Sequence, residues 1–289
     1  MVSSALKDIL TLAPLRRRPP VVAVVRLYGV IAPQSSPLRP ALNLPALAGP
    51  LEQAFALRGV KAVALAINSP GGSPVQSALI HDRIRQLAEE KQIPVYAFCE
   101  DVAASGGYWI ACAGDEIFGN ENSIVGSIGV IAATFGFEEL LAKIGVERRV
   151  YTAGDKKSFL DPFKPVEETD VKRLTALQKD MHDSFKAHVR RRRGDKLQGS
   201  DRKLFSGEFW TGSEGQKLGL IDGIGDLKAV MRQRFGDKVK LRVMQAEKGW
   251  LRRRLGMSQL APEPLLAGLN PRGLIGALEE RAYWARFGL

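Results

Sequence analysis

Two rhythms of apolar residues run along the chain. Val21 to Leu27 is a β-branched run broken by Arg26, and Val63-Ala64-Leu65-Ala66-Ile67 is unbroken. Both read as buried strands, and Pro94 to Phe98 reads as a third. Each leads through a turn into a helical stretch, expected near 51–57, over 75–90, and at Tyr108 to Ala113. Strand, turn and helix repeated three times predict parallel βαβ units. Ile117-Phe118, Gly126 to Ala132 and Arg149 to Thr152 are expected to be further short strands. The stretch from Ala32 to Pro50 contains Pro33, Pro37, Pro40, Pro45 and Pro50 and reads mostly as loop.

From Val166 to Arg193 the period changes. Val171, Leu174, Leu177, Met181 and Phe185 step by three and four, which is one face of a long amphipathic helix. That face is expected to pack on the core. Gly219-Leu220-Ile221-Asp222 predicts a turn and short strand, 229–235 a helix, and Val239 to Val243 a last strand. After Gly249 the pattern breaks up around Pro262, Pro264 and Pro271. The expected organisation is a basic N-terminal segment and linker at 1–20, one domain at 21–245, and a C-terminal appendage at 246–289.

Composition sharpens this picture in three places. The chain has 289 residues, 45% of them hydrophobic and 25% charged, enough for a globular domain with a sizeable core. Its two cysteines, Cys99 and Cys112, lie in apolar segments and read as buried thiols, without disulfide or metal-ligand spacing. The formal net charge is +11, drawn from Arg16–Arg18, Arg190–Arg193 and Arg252–Arg254 among others. Those clusters read either as contacts with an anionic membrane or as solvated helix ends. No aromatic residues interleave with them in the manner of a nucleic-acid platform. No segment approaches the roughly 18–20 apolar residues of a membrane span. The expected location is therefore cytoplasmic, with peripheral contact at the inner membrane face as the functional reading of the basic ends.

The candidate chemistry lies in Asp101-Val102-Ala103-Ala104-Ser105-Gly106-Gly107. Small residues flank Ser105, and a helix-like stretch follows. A hydroxyl on such a turn has free backbone N–H groups beside it, which suits a nucleophile with an oxyanion site. The bland reading is a turn that packs small residues. A nucleophilic serine needs a base, and only His81, His182 and His188 are available as histidines. All three fall inside predicted helices rather than at strand ends, so a histidine triad is poorly supported. The Gly-x-Ser-x-Gly elbow is not met, because position 103 is alanine. Lysine is the other base, provided burial lowers its pKa from about 10.4 to about 7–8. Tyr151-Thr152-Ala153-Gly154-Asp155-Lys156-Lys157-Ser158 offers two, and spacing alone does not choose between Lys156 and Lys157.

These blocks together resemble the signal peptide peptidase A family of Ser-Lys peptidases. In order they are Ile67-Asn68-Ser69-Pro70-Gly71-Gly72, Asp101 to Tyr108, Ile124-Val125-Gly126-Ser127-Ile128-Gly129-Val130, the Gly154 to Ser158 turn, and Phe209-Trp210-Thr211-Gly212 with Gly219 to Asp222. The resemblance implies a Clp/crotonase-like α/β fold of repeated ββα units with a parallel sheet. It implies Ser105 as nucleophile and, by the Gly-x-x-Lys spacing, Lys157 as base. Gly106 and a glycine of the Gly71-Gly72 pair, Gly72 in preference, would form the oxyanion hole, and Ser127 would orient the lysine. It implies peptide hydrolysis through an acyl-enzyme without metal or cofactor, on unfolded or membrane-derived peptides such as remnant signal peptides. It also implies a homo-oligomeric ring or dome in which neighbouring copies share the active site. The chain differs from anchored family members in showing no N-terminal membrane anchor. The competing readings are a non-proteolytic scaffold of the same fold, a crotonase-like acyl-CoA enzyme, and a Clp-like Ser-His-Asp peptidase.

Overall fold

The computed structural model describes residues 19–34, 41–154, 156–244 and 281–288. The first half alternates strand and helix: β1 (Val21–Tyr28), α1 (Leu44–Ala56), β2 (Val60–Ser69), α2 (Pro74–Lys91), β3 (Val95–Ala104), α3 (Gly106–Ala111). Then come β4 (Glu116–Gly119), β5 (Ile124–Gly126), α4 (Glu138–Lys143) and the long α5 (Glu168–Arg193). The last part holds α6 (Asp201–Leu204), β6 (Phe209–Thr211), α7 (Gly212–Lys217), β7 (Gly223–Ile224), α8 (Leu227–Phe235) and β8 (Lys240–Met244).

The strands form one sheet in the order β6-β5-β3-β2-β1-β8, with β4 between β3 and β7. Every pairing is parallel except β5 with β6. The long β3 changes neighbour along one edge: Tyr96 to Cys99 pair with β4, and Val102 to Ala104 pair with β5. That change of partner opens the sheet just where β3 ends. Ala62 to Ile67 of β2 and Val95 to Cys99 of β3 are apolar without interruption because both faces are covered. Ala23, Val25 and Leu27 point into the main core with α1, α2 and α3, whereas Val22 and Val24 point to a second core. The second core also takes Phe98, Phe118 and Val230 and Met231 of α8. The expected α/β class with a parallel sheet and a long amphipathic helix is the observed one.

Three expectations change. Helix α1 begins at Leu44 rather than near 51, because the Asn43 side chain accepts the Ala46 N–H at 2.9 Å and Pro45 fits the first turn. A proline read as loop is a helix start. The strands expected at Gly126 to Ala132 and Arg149 to Thr152 are absent: β5 stops at Gly126, and residues 149–152 join no ladder. Residues 131–151 leave Ile131, Phe135, Ile144, Val146 and Tyr151 exposed, and among the described residues no sheet edge pairs with these segments. Finally, only the end of α5 packs as expected. Phe185, His188 and Val189 are buried, whereas Val171, Leu177 and Met181 are exposed.

The arginines that close α5 are structural rather than uniformly solvated. Arg193 is buried, donating to the Gly219 carbonyl at 3.0 and 2.8 Å and to Asp222 at 2.7 Å. Arg192 donates to the carbonyls of Cys112 and Gly114, and Arg190 pairs with Asp201. Cys99 and Cys112 are buried and unpaired, and burial pushes both thiols up to about 12. Among the described residues no helix is long and apolar enough to cross a membrane. The N-terminal linker (all but residues 19 and 20) and the appendage outside 281–288 lie outside the described residues, as do Arg16–Arg18 and Arg252–Arg254.

Candidate active site

Ser105 stands at the junction of β3 and α3 with φ 52° and ψ −122°. A residue with a Cβ holds such a conformation at a cost of about 1–3 kcal/mol, so its surroundings must impose it. They do so from both sides. The Ser105 N–H donates to the Gly126 carbonyl at 2.8 Å, and its carbonyl accepts from Trp109 N–H at 3.0 Å. The small neighbours are required by close approach. A Cβ on Gly106 would strike the Ser77 hydroxyl, and one on Gly107 would strike the Ser69 carbonyl.

The facing loop, 69–73, is pinned to Ile31 by two backbone bonds: Ile31 N–H to Gly71 at 2.9 Å and Ser73 N–H to Ile31 at 2.8 Å. Gly71 has φ +99°, and a Cβ there would lie 2.8 Å from both the Ser105 Cβ and the Gly106 nitrogen. The Gly71 N–H donates to the Ser69 hydroxyl at 3.2 Å. The N–H groups of Gly72 and Gly106 have no acceptor among the described residues. Two unpaired donors thus flank the serine from two segments of the same chain, the arrangement an oxyanion site requires.

Ser105 opens into a pocket of about 500 Å³ whose lining includes Gly72, Ser127, His182, Tyr283 and Arg286. Ser127 is buried, has φ 53°, and donates its N–H to the Glu208 carbonyl at 2.7 Å. Among the described residues no lysine lines the pocket. Lys156 and Lys157 are exposed within the protruding 130–165 segment, where Lys157 N–H closes the turn on the Gly154 carbonyl at 3.2 Å. Within one chain the fold therefore groups Ser105, Gly71, Gly72, Gly106 and Ser127, and leaves both lysines elsewhere.

The remaining motif blocks support this site rather than enter it. Trp210 pairs with Val125 and packs flat where a Cβ on Gly126 would sit, fixing the carbonyl that holds the Ser105 N–H. The Tyr108 hydroxyl, from α3, donates to the Leu220 carbonyl at 2.7 Å.

Two histidines pack beneath α3. His188 stacks on Trp109 at 4.4 Å, with its Nε2 3.2 Å from the Trp109 carbonyl, and His81 meets His188 edge-on at 4.4 Å. Burial holds both below the ordinary imidazole value, His188 at about 3. His182 does reach the pocket, with Nε2 3.1 Å from the Ile128 carbonyl. The helix that carries Met181 into the pocket places His182 beside it, which a position inside a predicted helix does not by itself reveal. Tyr283 and Arg286 were likewise unforeseen, since the appendage carries no motif.

The geometry agrees with the comparisons. A model of "Peptidase family S49" matches residues 87–241. The chain is 32% identical over 201 residues to "Putative protease slr0021" of Synechocystis sp., covering 68% of this chain and 72% of that protein. It is 33% identical over 168 residues to the "Putative signal peptide peptidase SppA" of Enterococcus faecium, 58% of this chain and 48% of that protein. A protein of Brucella abortus named "Na(+)/H(+) antiporter NhaA" is 54% identical over 272 residues, which are 93% of this chain and 37% of that protein. The strand-to-helix serine turn, the glycine loop facing it and the ordered blocks define a serine-peptidase type of site on an α/β sheet. The chain belongs to peptidase family S49, the signal peptide peptidase A family. It spans between a third and about half of the length of several relatives it matches, 37% of the Brucella protein and 48% of the Enterococcus one.

Proposed function

We propose that the chain is a serine endopeptidase whose site is completed by a second copy of itself. The observation that carries this is the strained Ser105, held between two backbone N–H groups that nothing in the described chain uses. A peptide carbonyl seated there would place its oxygen at Gly72 and Gly106. The Ser105 oxygen attacks the carbonyl carbon as its proton passes to the neutral amine of Lys157. The negative tetrahedral oxygen is stabilised by the two N–H groups. The C–N bond then breaks, the lysine returns the proton to the leaving amine, and an ester on Ser105 remains. Water hydrolyses that ester with the same lysine accepting and returning its proton.

Support for a shared site comes from the arm. It carries Lys156 and Lys157 away from its own Ser105 pocket and exposes Ile131, Phe135, Ile144 and Tyr151. A segment that leaves these apolar side chains exposed among the described residues fits burial against another copy. Such burial would also desolvate the ammonium and lower its pKa, which a general base at neutral pH needs. The Ser127 hydroxyl, in the same pocket as Ser105, is positioned to orient it. Peptide or unfolded-protein substrates follow from this chemistry, with remnant signal peptides as the analogy from the family. Peripheral contact with an anionic membrane remains an expectation of the basic ends.

A second reading rests on His182, which shares the pocket. If its Nε2–H donates to Ile128, its Nδ1 is left as an acceptor. Cleavage of an unfolded protein by Ser105→Ala, Lys157→Ala, Lys156→Ala and His182→Ala separates these readings. Loss of activity in the Ser105 and Lys157 variants, with Lys156 and His182 variants active, supports the shared Ser-Lys site. Activity retained by Lys157→Ala and lost by His182→Ala replaces it with a Ser-His site.

A further inference from the structure

The final described turn of the chain, 281–288, is built into the wall of the candidate active site. Its residues divide by helical spacing into two faces. Trp284 and Phe287 are three apart and point at the sheet. Phe287 is buried against Val102 and Ala104 of β3 beside Ile124, and its ring meets Phe209 edge-on at 5.1 Å. Because side chains alternate along a strand, Val102 and Ala104 face away from Ala103 and the main core. The apolar back of the nucleophile strand is thus covered by the C-terminal turn. Tyr283 and Arg286, also three apart and one position earlier, form a second face that lines the Ser105 pocket.

The charge of that pocket is one-sided. Among the described residues no aspartate or glutamate lines it, and Arg286 is the one permanently charged side chain that does. No carboxylate pairs with Arg286 among the described residues, and its side chain is exposed. A guanidinium fork at the edge of a peptide pocket, without an internal partner, presents directional donors to a carboxylate. Trp284 and Phe287 fix the backbone that carries it, so the fork has a defined place relative to Ser105.

We propose that Arg286, with Tyr283 beside it, is a specificity determinant that selects peptides bearing a carboxylate close to the scissile bond. This rests on the peptidase reading of Ser105. Two sources share the chemistry, an Asp or Glu side chain and a free C-terminus. The C-terminal turn is then a functional wall of the site rather than a tail.

The test uses the full chain and fluorescein-labelled peptides in which one Glu, Gln or Lys is moved through the positions flanking a cleavage site, each with a free or amidated C-terminus. Binding is read by anisotropy on Ser105→Ala, and cleavage on the Ser105 protein. At the favoured position the Glu peptide should bind roughly two- to fivefold more tightly than the Gln peptide, as expected for one exposed charge pair. The ratio should fall towards one at about 0.5 M salt. Arg286→Ala on the same background should abolish the ratio, and Arg286→Glu should favour Lys. A preference that follows the free C-terminus rather than Glu identifies the second source. The proposal is overturned if no position and neither terminus discriminates, or if the preference survives Arg286→Ala. Absence of cleavage by the Ser105 protein would count against the peptidase reading, while the binding ratios still decide the role of Arg286.

Discussion

Replacing Asp222 by asparagine should unfasten the end of the long helix from the sheet. Asp222 accepts from Arg193 at 2.7 and 3.2 Å, from Lys196 at 2.7 Å and from the Ile117 N–H at 2.7 Å. The Arg193 side chain is 2% exposed and that of Asp222 15%. Asparagine removes the charge and turns one acceptor into an amide N–H₂ group that faces donors, so the buried guanidinium keeps the Gly219 carbonyl and at most one neutral amide oxygen. Breaking a buried pair from one side costs about 3–5 kcal/mol. Lys196 is half exposed and can turn to water, which places Asp222→Asn near the lower end, about 3 kcal/mol. That is a large part of the roughly 5–15 kcal/mol that holds a domain together.

Urea unfolding followed by tryptophan fluorescence measures this loss as a lower midpoint at unchanged slope. The joint replacement Arg193→Met with Asp222→Leu should recover most of it, because an apolar pair leaves no orphaned charge. Acid supplies an independent arm. Burial alone would raise the Asp222 carboxyl, but hydrogen bonds from Arg193 and Lys196 outweigh it and hold the group below its ordinary value. The clasp is therefore complete above the unfolded carboxylate pKa near ~3.9 and is lost as pH falls through the lower folded value. A loss smaller than about 1 kcal/mol in Asp222→Asn would place the pair in the class of surface ion pairs and refute this reasoning.

Two further outcomes follow from the site. Gly71→Ala puts a Cβ at 2.8 Å from the Ser105 Cβ and the Gly106 nitrogen, so kcat should fall about 10²–10³-fold, the effect of losing one oxyanion donor. Steady-state kinetics that left kcat within about twofold would show that the loop and the serine do not act together. His81 and His188 are buried neutral below Trp109, with Arg191 at 3.2 Å and Asp82 as the charged neighbours. Their folded pKa values lie below the unfolded one, so stability should decline as pH drops below about 6.5, by up to about 1.4 kcal/mol per pH unit for each histidine. Chemical unfolding between pH about 6.5 and 5 should show a shallower decline in His188→Leu, and an unchanged slope would contradict the assignment.

The central sheet was legible because burial on both faces writes itself as continuous apolar runs, as in Val63 to Ile67. The Ser105 turn was legible because close approach admits only small residues at 106 and 107. Asp222 and Arg193 were not readable as partners: each sat in a recognised block or cluster, but 29 positions separate them and no periodicity links them. The apolar stripe of α5 has the same pattern whether it meets its own core, as Phe185 does, or remains exposed, as Val171 and Leu177 do. Arg149 to Thr152 has strand composition without a strand neighbour among the described residues. The contribution of Tyr283 and Arg286 depends on where Trp284 and Phe287 dock, which only the folded sheet reveals.

The shared site is tested most directly by mixing Ser105→Ala and Lys157→Ala chains, each inactive alone, after dissociation and reassembly. If serine and lysine come from neighbouring copies, random assembly rebuilds about a quarter of the sites and peptide cleavage returns in proportion. If the mixture stays inactive while wild-type chains recover under the same treatment, the two residues do not meet across copies, and the proposed site is wrong.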